Sequence, residues 1–324
     1  MSVGADARPA KRRRIEKNRP RTTEYLDLRA GYSHDEDDED VVERLTSTLR
    51  QKKKIVIIAG AGISVSAGIP DFRSSHGLFK TLKSQHKLKA SGKQLFDASV
   101  YKHNDSTESF HDMIRELSQQ TKTARPTPFH HMIASIAEEG RLLRLYTQNV
   151  DGIDTAMPAL ATTVPLAEVG GEKGAWPKTV QLHGGLEKMS CSKCSELYDF
   201  DGSLFQGPEP PPCPSCTAID SVRTLHAGKR SHGVGKLRPR MVLYNEHNPD
   251  QDAIAKVIKA DTKTRPDAVI VVGTSMKIPG VRKLVQDLCY YTRLRRDGVA
   301  AWINLDPEPS GADLKDCWDM VIQG

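Results

Sequence analysis

A chain of 324 residues, 38% hydrophobic and 27% charged, is long enough for one large domain with a satellite, or for two ordinary domains, and its composition excludes a fibrous protein. No apolar run reaches the roughly 18 residues of a membrane-spanning helix, and Lys11, Arg12, Arg13 and Arg14 have no apolar core behind them, so a soluble, intracellular protein without a secretory leader is expected. The net charge of +6 is unevenly spread, with Lys11 to Arg21 strongly basic and Asp35 to Asp40 solidly acidic.

Such charge blocks usually belong to solvated arms, and residues 1–40 are expected to be disordered. The Lys11-Arg12-Arg13-Arg14 run reads either as a flexible tail or as a nuclear-import signal or nucleic-acid patch. Lys17, Arg19 and Arg21 extend it and favour nuclear import. The fold is expected to begin near Val41 with a helical pattern of Val42, Leu45 and Leu49. Five apolar, β-branched runs then read as buried parallel strands: Lys54–Ala59, Leu142–Tyr146, Thr179–Leu182, Ala268–Val272 and Ala300–Ile303. Met241–Tyr244 is a shorter sixth. Helical patterns over Phe129–Glu139, Asp252–Lys259 and Arg282–Leu294 separate several of them, which predicts an α/β, Rossmann-like doubly wound parallel sheet. Segments 77–127 and 186–236 break the alternation and read as insertions forming a smaller helical and metal-binding module. They leave 41–76, 128–185 and 237–324 as the large part, within which Pro158–Pro177 reads as a surface loop.

Each strand is followed by a polar or glycine-rich cluster: Gly60-Ala61-Gly62-Ile63-Ser64, Thr147-Gln148-Asn149-Val150-Asp151, His183-Gly184-Gly185, Gly273-Thr274-Ser275 and Asn304-Leu305-Asp306. In an open parallel sheet the ligand crevice lies outside the carboxyl ends of the strands, so all five should share one site.

Cys191-x-x-Cys194 and Cys213-x-x-Cys216 stand eighteen residues apart. Two such turns complete a tetrahedral thiolate shell, and with four protein ligands the shell is closed to water, which predicts a structural zinc. Cys289 lies in an apolar helical pattern and reads as core. Gly60-Ala61-Gly62, between a strand and a helix, suits close backbone approach to a pyrophosphate. Val65 stands where a dinucleotide fingerprint has its third glycine, and no acidic residue follows at ribose distance, which disfavours a hydride-transfer dehydrogenase. Gly68-Ile69-Pro70-Asp71-Phe72-Arg73-Ser74 reads either as a capping turn with an ion pair or as a loop closing over a phosphate-bearing ligand. His183, at a strand end and followed by two glycines, suits general-base work; His130 and His131 have no comparable setting.

Taken together, these motifs and their order resemble the sirtuin family of NAD-dependent protein deacylases over roughly Leu45–Gly324. Thr147–Thr155, Tyr244-Asn245-Glu246 and the basic N-terminus look most like a fungal, nuclear, histone-directed branch. The resemblance implies that the acyl-lysine oxygen attacks the nicotinamide ribose of NAD, releasing nicotinamide and forming an O-alkylimidate. His183 then acts as base for a ribose hydroxyl, and O-acetyl-ADP-ribose is the product. It implies that Gln148 and Asn149 order the nicotinamide ribose, with Asn149 in the catalytic machinery. Asp151 and Ile69 would hold the carboxamide, and Gly60, Ala61, Gly62, Ser64, Asp71, Phe72 and Arg73 would form the cofactor loop. Gly273, Thr274 and Ser275 would line the phosphate side, Asn304 the adenosine ribose, and the Cys317 backbone the adenine. An acetylated peptide, expected to come from histones in chromatin, would add a strand between Leu243-Tyr244-Asn245-Glu246 and Ile278-Pro279-Gly280.

The chain departs from the family pattern at Gly185, where Ser or Thr usually follows His-Gly, and in a longer Pro158–Pro177 loop. It stops at Gly324, soon after Cys317, leaving open an extension beyond it. Two other functions share these residues: mono-ADP-ribosylation or NAD hydrolysis on the same site, and a weakly catalytic chromatin-binding module relying on the zinc segment and the basic arm.

Overall fold

The computed structural model describes residues 22–29, 36–71, 92–170 and 175–324. The strands are β1 (Glu24–Asp27), β2 (Ile55–Ala59), β3 (Leu142–Thr147), β4 (Thr179–Gln181), β5 (Gly184–Cys191), β6 (Leu197–Asp199), β7 (Leu237–Met241), β8 (Ala268–Val272), β9 (Val299–Asn304) and β10 (Met320–Gln323). The helices are α1 (Glu36–Gln51), α2 (Asn104–Thr123), α3 (Pro128–Glu138), α4 (Ile153–Ala156), α5 (Pro214–Ser221), α6 (Gln251–Thr264) and α7 (Pro279–Arg293).

Seven strands form one sheet in the order β1-β10-β9-β8-β2-β3-β4, every neighbouring pair parallel. From the central β2 and β8 the chain runs outward in both directions, to β4 on one side and β10 on the other. That reversal is the switch point at which a doubly wound sheet opens its ligand crevice. β2 is buried along its whole length, which is why it reads as an unbroken apolar run. Alternate residues serve opposite layers: Val56 and Ile58 pack with Val285 and Leu288 of α7 and Val257 of α6, while Ile55 and Ile57 pack with Ile133 and Ala134 of α3.

The fold begins earlier than Val41. The acidic run expected in a solvated arm instead opens α1, with Glu36, Asp37, Asp38 and Glu39 in its first turn. There carboxylates offset the unpaired N–H groups of the helix start. α1 lays Val41 against Leu26, Val299, Met320 and Ile322. β1 escapes a hydrophobic-pattern reading because Leu26 is its only buried residue. Met241–Tyr244 is not a strand of the parallel sheet: Met241 ends β7, and Tyr244 forms an isolated bridge with Asp97.

β6-β5-β7 form a separate antiparallel sheet. Its buried face joins Leu95, Phe110 and Ile114 to Leu186, Phe205 and Leu237 in one core with Cys213 and Cys216. This sheet reaches past the expected 186–236 bounds, because Gly184 pairs with Met241. Strands of the second sheet therefore start and end beside His183.

Within the large sheet, Arg144 is only 5% exposed. Its Nε and Nη2 donate to the two Asp261 carboxylate oxygens at 2.9 and 3.0 Å. Tyr146 Oη donates to Asp261 Oδ2 at 2.7 Å, and Arg144 Nη1 donates to the Trp176 and Pro177 carbonyls. This satisfied cluster pins the end of the Pro158–Pro177 segment to α6. Asp261→Ala leaves the guanidinium buried without its counter-charge, and a loss of about 3–5 kcal/mol is expected in urea unfolding. A loss below about 1 kcal/mol would show that the pair does not hold this edge.

Candidate active site and metal centre

The floor of the site is built from backbone. Gly60 N–H donates to Val272 O at 3.1 Å and Gly62 N–H to Gly273 O at 2.9 Å, tying the end of β2 to the end of β8. A Cβ at Gly60 would stand 2.7 Å from Gly273 O, and one at Gly62 would stand 2.6 Å from Gly273 Cα. Gly273 itself has φ +60°, a conformation that favours glycine. Ala61–Ala67 is a short 3-10 helix and not the α-helix expected there. The turn offers a ligand a surface free of bulky side chains, with the Gly60 and Gly62 N–H groups themselves already engaged in joining the strand ends.

Above the floor lies a cleft of about 730 Å³. Gly60, Ala61, Gly62, Asp71, Gln148, His183, Gly273, Thr274, Ser275 and Asn304 line it, together with Leu243, Tyr244 and Asn245, which belong with the smaller module, and Ile278, which packs against the large sheet. All five strand-end clusters thus contribute. Gln148 laces them together: its N–H donates to Ala59 O at 2.9 Å and its Nε2 to Thr274 Oγ1 at 2.9 Å. Asn304 Nδ2 donates to Thr274 O at 2.8 Å. His183 Nδ1 lies 3.2 Å from Gln148 O. A carbonyl can only accept, so Nδ1 carries the proton and Nε2 is left with its lone pair.

Other expected residues stand behind this wall. Asn149 is 3% exposed; its Nδ2 donates to Ser64 Oγ at 3.3 Å, and its buried Oδ1 has no partner among the described residues. A buried amide oxygen left so is costly unless a bound molecule satisfies it. Asp151 accepts the Ile153 N–H at 2.9 Å. Burial holds its carboxyl above the usual range, opposed by bonds from Ile153 and Ser64 and reinforced by the charge of Glu187. Ile69 is buried in the core of the smaller module. Cys317 is likewise core, so an adenine contact there would have to be through its backbone. Glu246 turns away, its Oε1 accepting from Arg238 at 3.1 Å and its Oε2 from Leu243 N–H at 3.2 Å. Tyr244 is already bonded to Phe96 O and Ala98 N, so that edge is not open to a peptide. Phe72 and Arg73 lie outside the described residues.

Other contributors were given no role by the sequence. Val65 lines the cleft as an exposed apolar side chain, as does Leu305 of the last strand-end cluster, and Lys277 brings a cation to it. Deeper in, Asp154 is 2% exposed and receives Thr147 Oγ1 at 2.8 Å. Burial, with the charge of Asp151 added, pushes its carboxyl up to about 7. His130, given no role by its sequence setting, is fully buried and its imidazole is depressed by burial to about 4. Its Nδ1 accepts the Thr127 N–H at 3.2 Å and its Nε2 faces Asp154 Oδ1 at 3.4 Å, too poorly aligned for a hydrogen bond. With the imidazole neutral this contact is not an ion pair.

The four cysteines converge. Cys191, Cys194, Cys213 and Cys216 have sulfurs all within 4.8 Å of one another, with Cys191–Cys216 and Cys194–Cys213 each at 3.7 Å. A tetrahedron with Zn–S bonds of about 2.3 Å has S···S edges of about 3.8 Å, so the set fits zinc. The Lys193 and Cys194 N–H groups donate to Cys191 Sγ at 3.3 and 3.4 Å, which suits a thiolate ligand.

The Sir2 family model matches residues 60–280. The chain is 54% identical over 316 residues to the NAD-dependent protein deacetylase hst4 of Emericella nidulans, covering 97% of this chain and 52% of that protein. It is 46% identical over 280 residues to the hst4 deacetylase of Schizosaccharomyces pombe, covering 86% and 66%. To the NAD-dependent histone deacetylase HST4 of Saccharomyces cerevisiae it is 42% identical over 290 residues, covering 86% and 75%. The chain thus spans about half to three quarters of the length of these relatives. Among solved structures, a Sir2 homolog–NAD complex superposes with a TM-score of 0.61 at 23% identity, covering 87% of this chain and 88% of that one, and so shares its fold.

Two outcomes follow from the buried groups. A raised carboxyl costs stability as pH climbs from about 4 to 7, and a depressed histidine adds stability as pH climbs from about 4 to 6.5. The Asp154 and His130 contributions therefore oppose each other in wild type. Asp154→Asn removes the first, so the variant should gain stability relative to wild type across that window; a constant difference would contradict the buried-carboxyl assignment. Separately, stripping zinc with a chelator should release one equivalent of metal and melt the β5–β7 module first, since structural zinc energy is folding energy. Retention of that module's near-ultraviolet signal after full metal loss would count against it.

Proposed function

The chain belongs to the Sir2 family, the sirtuins, and on that premise we propose that it is an NAD-dependent protein-lysine deacetylase acting on acetylated histones. The observation that carries this reading is the meeting of five strand-end clusters around one cleft, with His183 and Gln148 laced together over a glycine floor. NAD supplies an anomeric carbon for the acetyl-lysine oxygen to attack and a ribose hydroxyl for the second step. The Gly60–Gly62 and Gly273 backbone would lie along its phosphates, with Lys277 offsetting their charge. Asn304 would meet the adenosine ribose.

His183, its proton fixed on Nδ1, would take the hydroxyl proton at Nε2. Asn149 would use its unpartnered Oδ1 on the nicotinamide ribose or an ordered water. Asp151, held close by Ser64 and Ile153, would receive the carboxamide. Leu243, Tyr244, Asn245 and Ile278 would hold the peptide through the cleft surface they line. Phe72 and Arg73 complete the cofactor loop in this reading. Zinc stays remote from the reaction and staples the module behind the peptide wall. A nuclear location, action on chromatin and nucleic-acid contact through Lys11–Arg21 belong to the same proposal, supported by the names of the relatives and the charge of that arm.

Acetylated histone peptide incubated with the protein and NAD should give nicotinamide and O-acetyl-ADP-ribose together. Nicotinamide without deacetylated peptide would favour NAD hydrolysis or mono-ADP-ribosylation, and no turnover would favour a binding module. His183→Ala should lower kcat by about 10²- to 10⁴-fold with an unchanged Tm; near-normal turnover would remove His183 from the role of base.

A further inference from the structure

We propose that Glu187 is a positioning residue that sets the geometry of the nicotinamide end of the cleft, in the place where the family usually carries a hydroxyl after His-Gly. This rests on the deacetylase reading for its functional meaning, but the bridge itself rests on geometry. Glu187 lies in β5, four residues past His183, and is half-buried. Its Oε1 accepts from Thr155 Oγ1 in α4 at 2.5 Å. Gln181 Nε2, at the end of β4, lies 3.0 Å from Oε1 and 3.2 Å from Oε2.

Two glycines make the room. A Cβ at Gly152 would stand 2.9 Å from Oε1, and one at Gly185 would stand 2.0 Å from Oε2 and 2.6 Å from Gln181 Nε2. Gly185, the departure from the family pattern, is therefore the counterpart of this carboxylate. The bridge joins the large sheet, through β4 and through α4 just after β3, to the first strand of the small one. It also brackets His183, holding Gln181 two residues before it and abutting Gly185 two residues after.

The charge has a cost that packing does not explain. Glu187 stands near Asp151 and Asp154, and its charge helps hold both carboxyls above their ordinary range. An apolar side chain could fill the space without that repulsion. The carboxylate instead holds Thr155 in the helix that follows Asp151, and its charge bears on how readily Asp151 ionises.

The test is a double-mutant cycle of Gly185→Ser and Glu187→Ala, with Glu187→Gln alongside. ADP-ribose binding by calorimetry, NAD KM, nicotinamide inhibition, peptide KM and Tm are the readouts. Gly185→Ser alone should weaken ADP-ribose and NAD binding about tenfold or more, and adding Glu187→Ala should restore much of it, since the new hydroxyl then has the vacated space. Glu187→Ala alone should raise NAD KM and weaken nicotinamide inhibition about fivefold or more, with peptide KM within roughly twofold. Glu187→Gln should retain most of the binding while moving the acid limb of nicotinamide inhibition to lower pH. A double variant no better than Gly185→Ser, or a Glu187→Ala protein with wild-type NAD and nicotinamide behaviour, would overturn the proposal. Because ADP-ribose binding and Tm do not require turnover, loss of the bridge is distinguishable from failure of the deacetylase reading.

Discussion

Where β2 and β8 end side by side, Gly60 and Gly62 press against Gly273 at distances that leave no room for a Cβ on any of them. This contact lets two central parallel strands finish at the same level and turn outward in opposite directions. The crevice of the doubly wound sheet opens at that point. Gln148 just after β3 and Asn304 at the end of β9 are then near enough to bond Thr274, just after β8. A side chain at any of the three glycines would have to separate the strand ends, and the lacing would fail with them.

Behind that floor the protein tolerates unfavourable electrostatics. Asp151, Asp154 and Glu187 share a partly buried region with a neutral His130, and Asn149 keeps a buried oxygen without a partner among the described residues. Such groups detract from stability unless a ligand or a reaction uses them. The stabilising side lies elsewhere: in the apolar layers on both faces of the sheet, in the satisfied Arg144–Asp261–Tyr146 cluster, and in the cysteine cage. Rigid elements thus hold a strained site, with the small antiparallel sheet rooted beside His183 so that both modules meet at the chemistry.

Much of this was legible because fully buried parallel strands leave an unmistakable apolar run. β2 and β8 were bounded to within a residue by Ile55–Ala59 and Ala268–Val272. The cysteine spacing dictated the cage for a similar local reason. β1 was not legible, since an edge strand needs only Leu26 to be apolar, and the acidic start of α1 looks like a solvated arm until the helix terminus is considered. His130 and Glu187 were invisible for another reason. Their settings come from contacts between segments far apart in the chain or shaped by glycines, and no periodicity reports those. The turn after β2 was legible as a glycine loop, but its purpose was only half read: the glycines serve strand-to-strand packing as well as any phosphate.

In the proposed function, one cleft couples removal of the acetyl group to cleavage of NAD through His183. The most direct measurement follows the acetyl oxygen. With acetyl-lysine peptide labelled with oxygen-18 in the amide carbonyl, mass spectrometry should find the label in the ADP-ribose portion of O-acetyl-ADP-ribose. Label released in free acetate, with nicotinamide formed independently of the peptide, would contradict it.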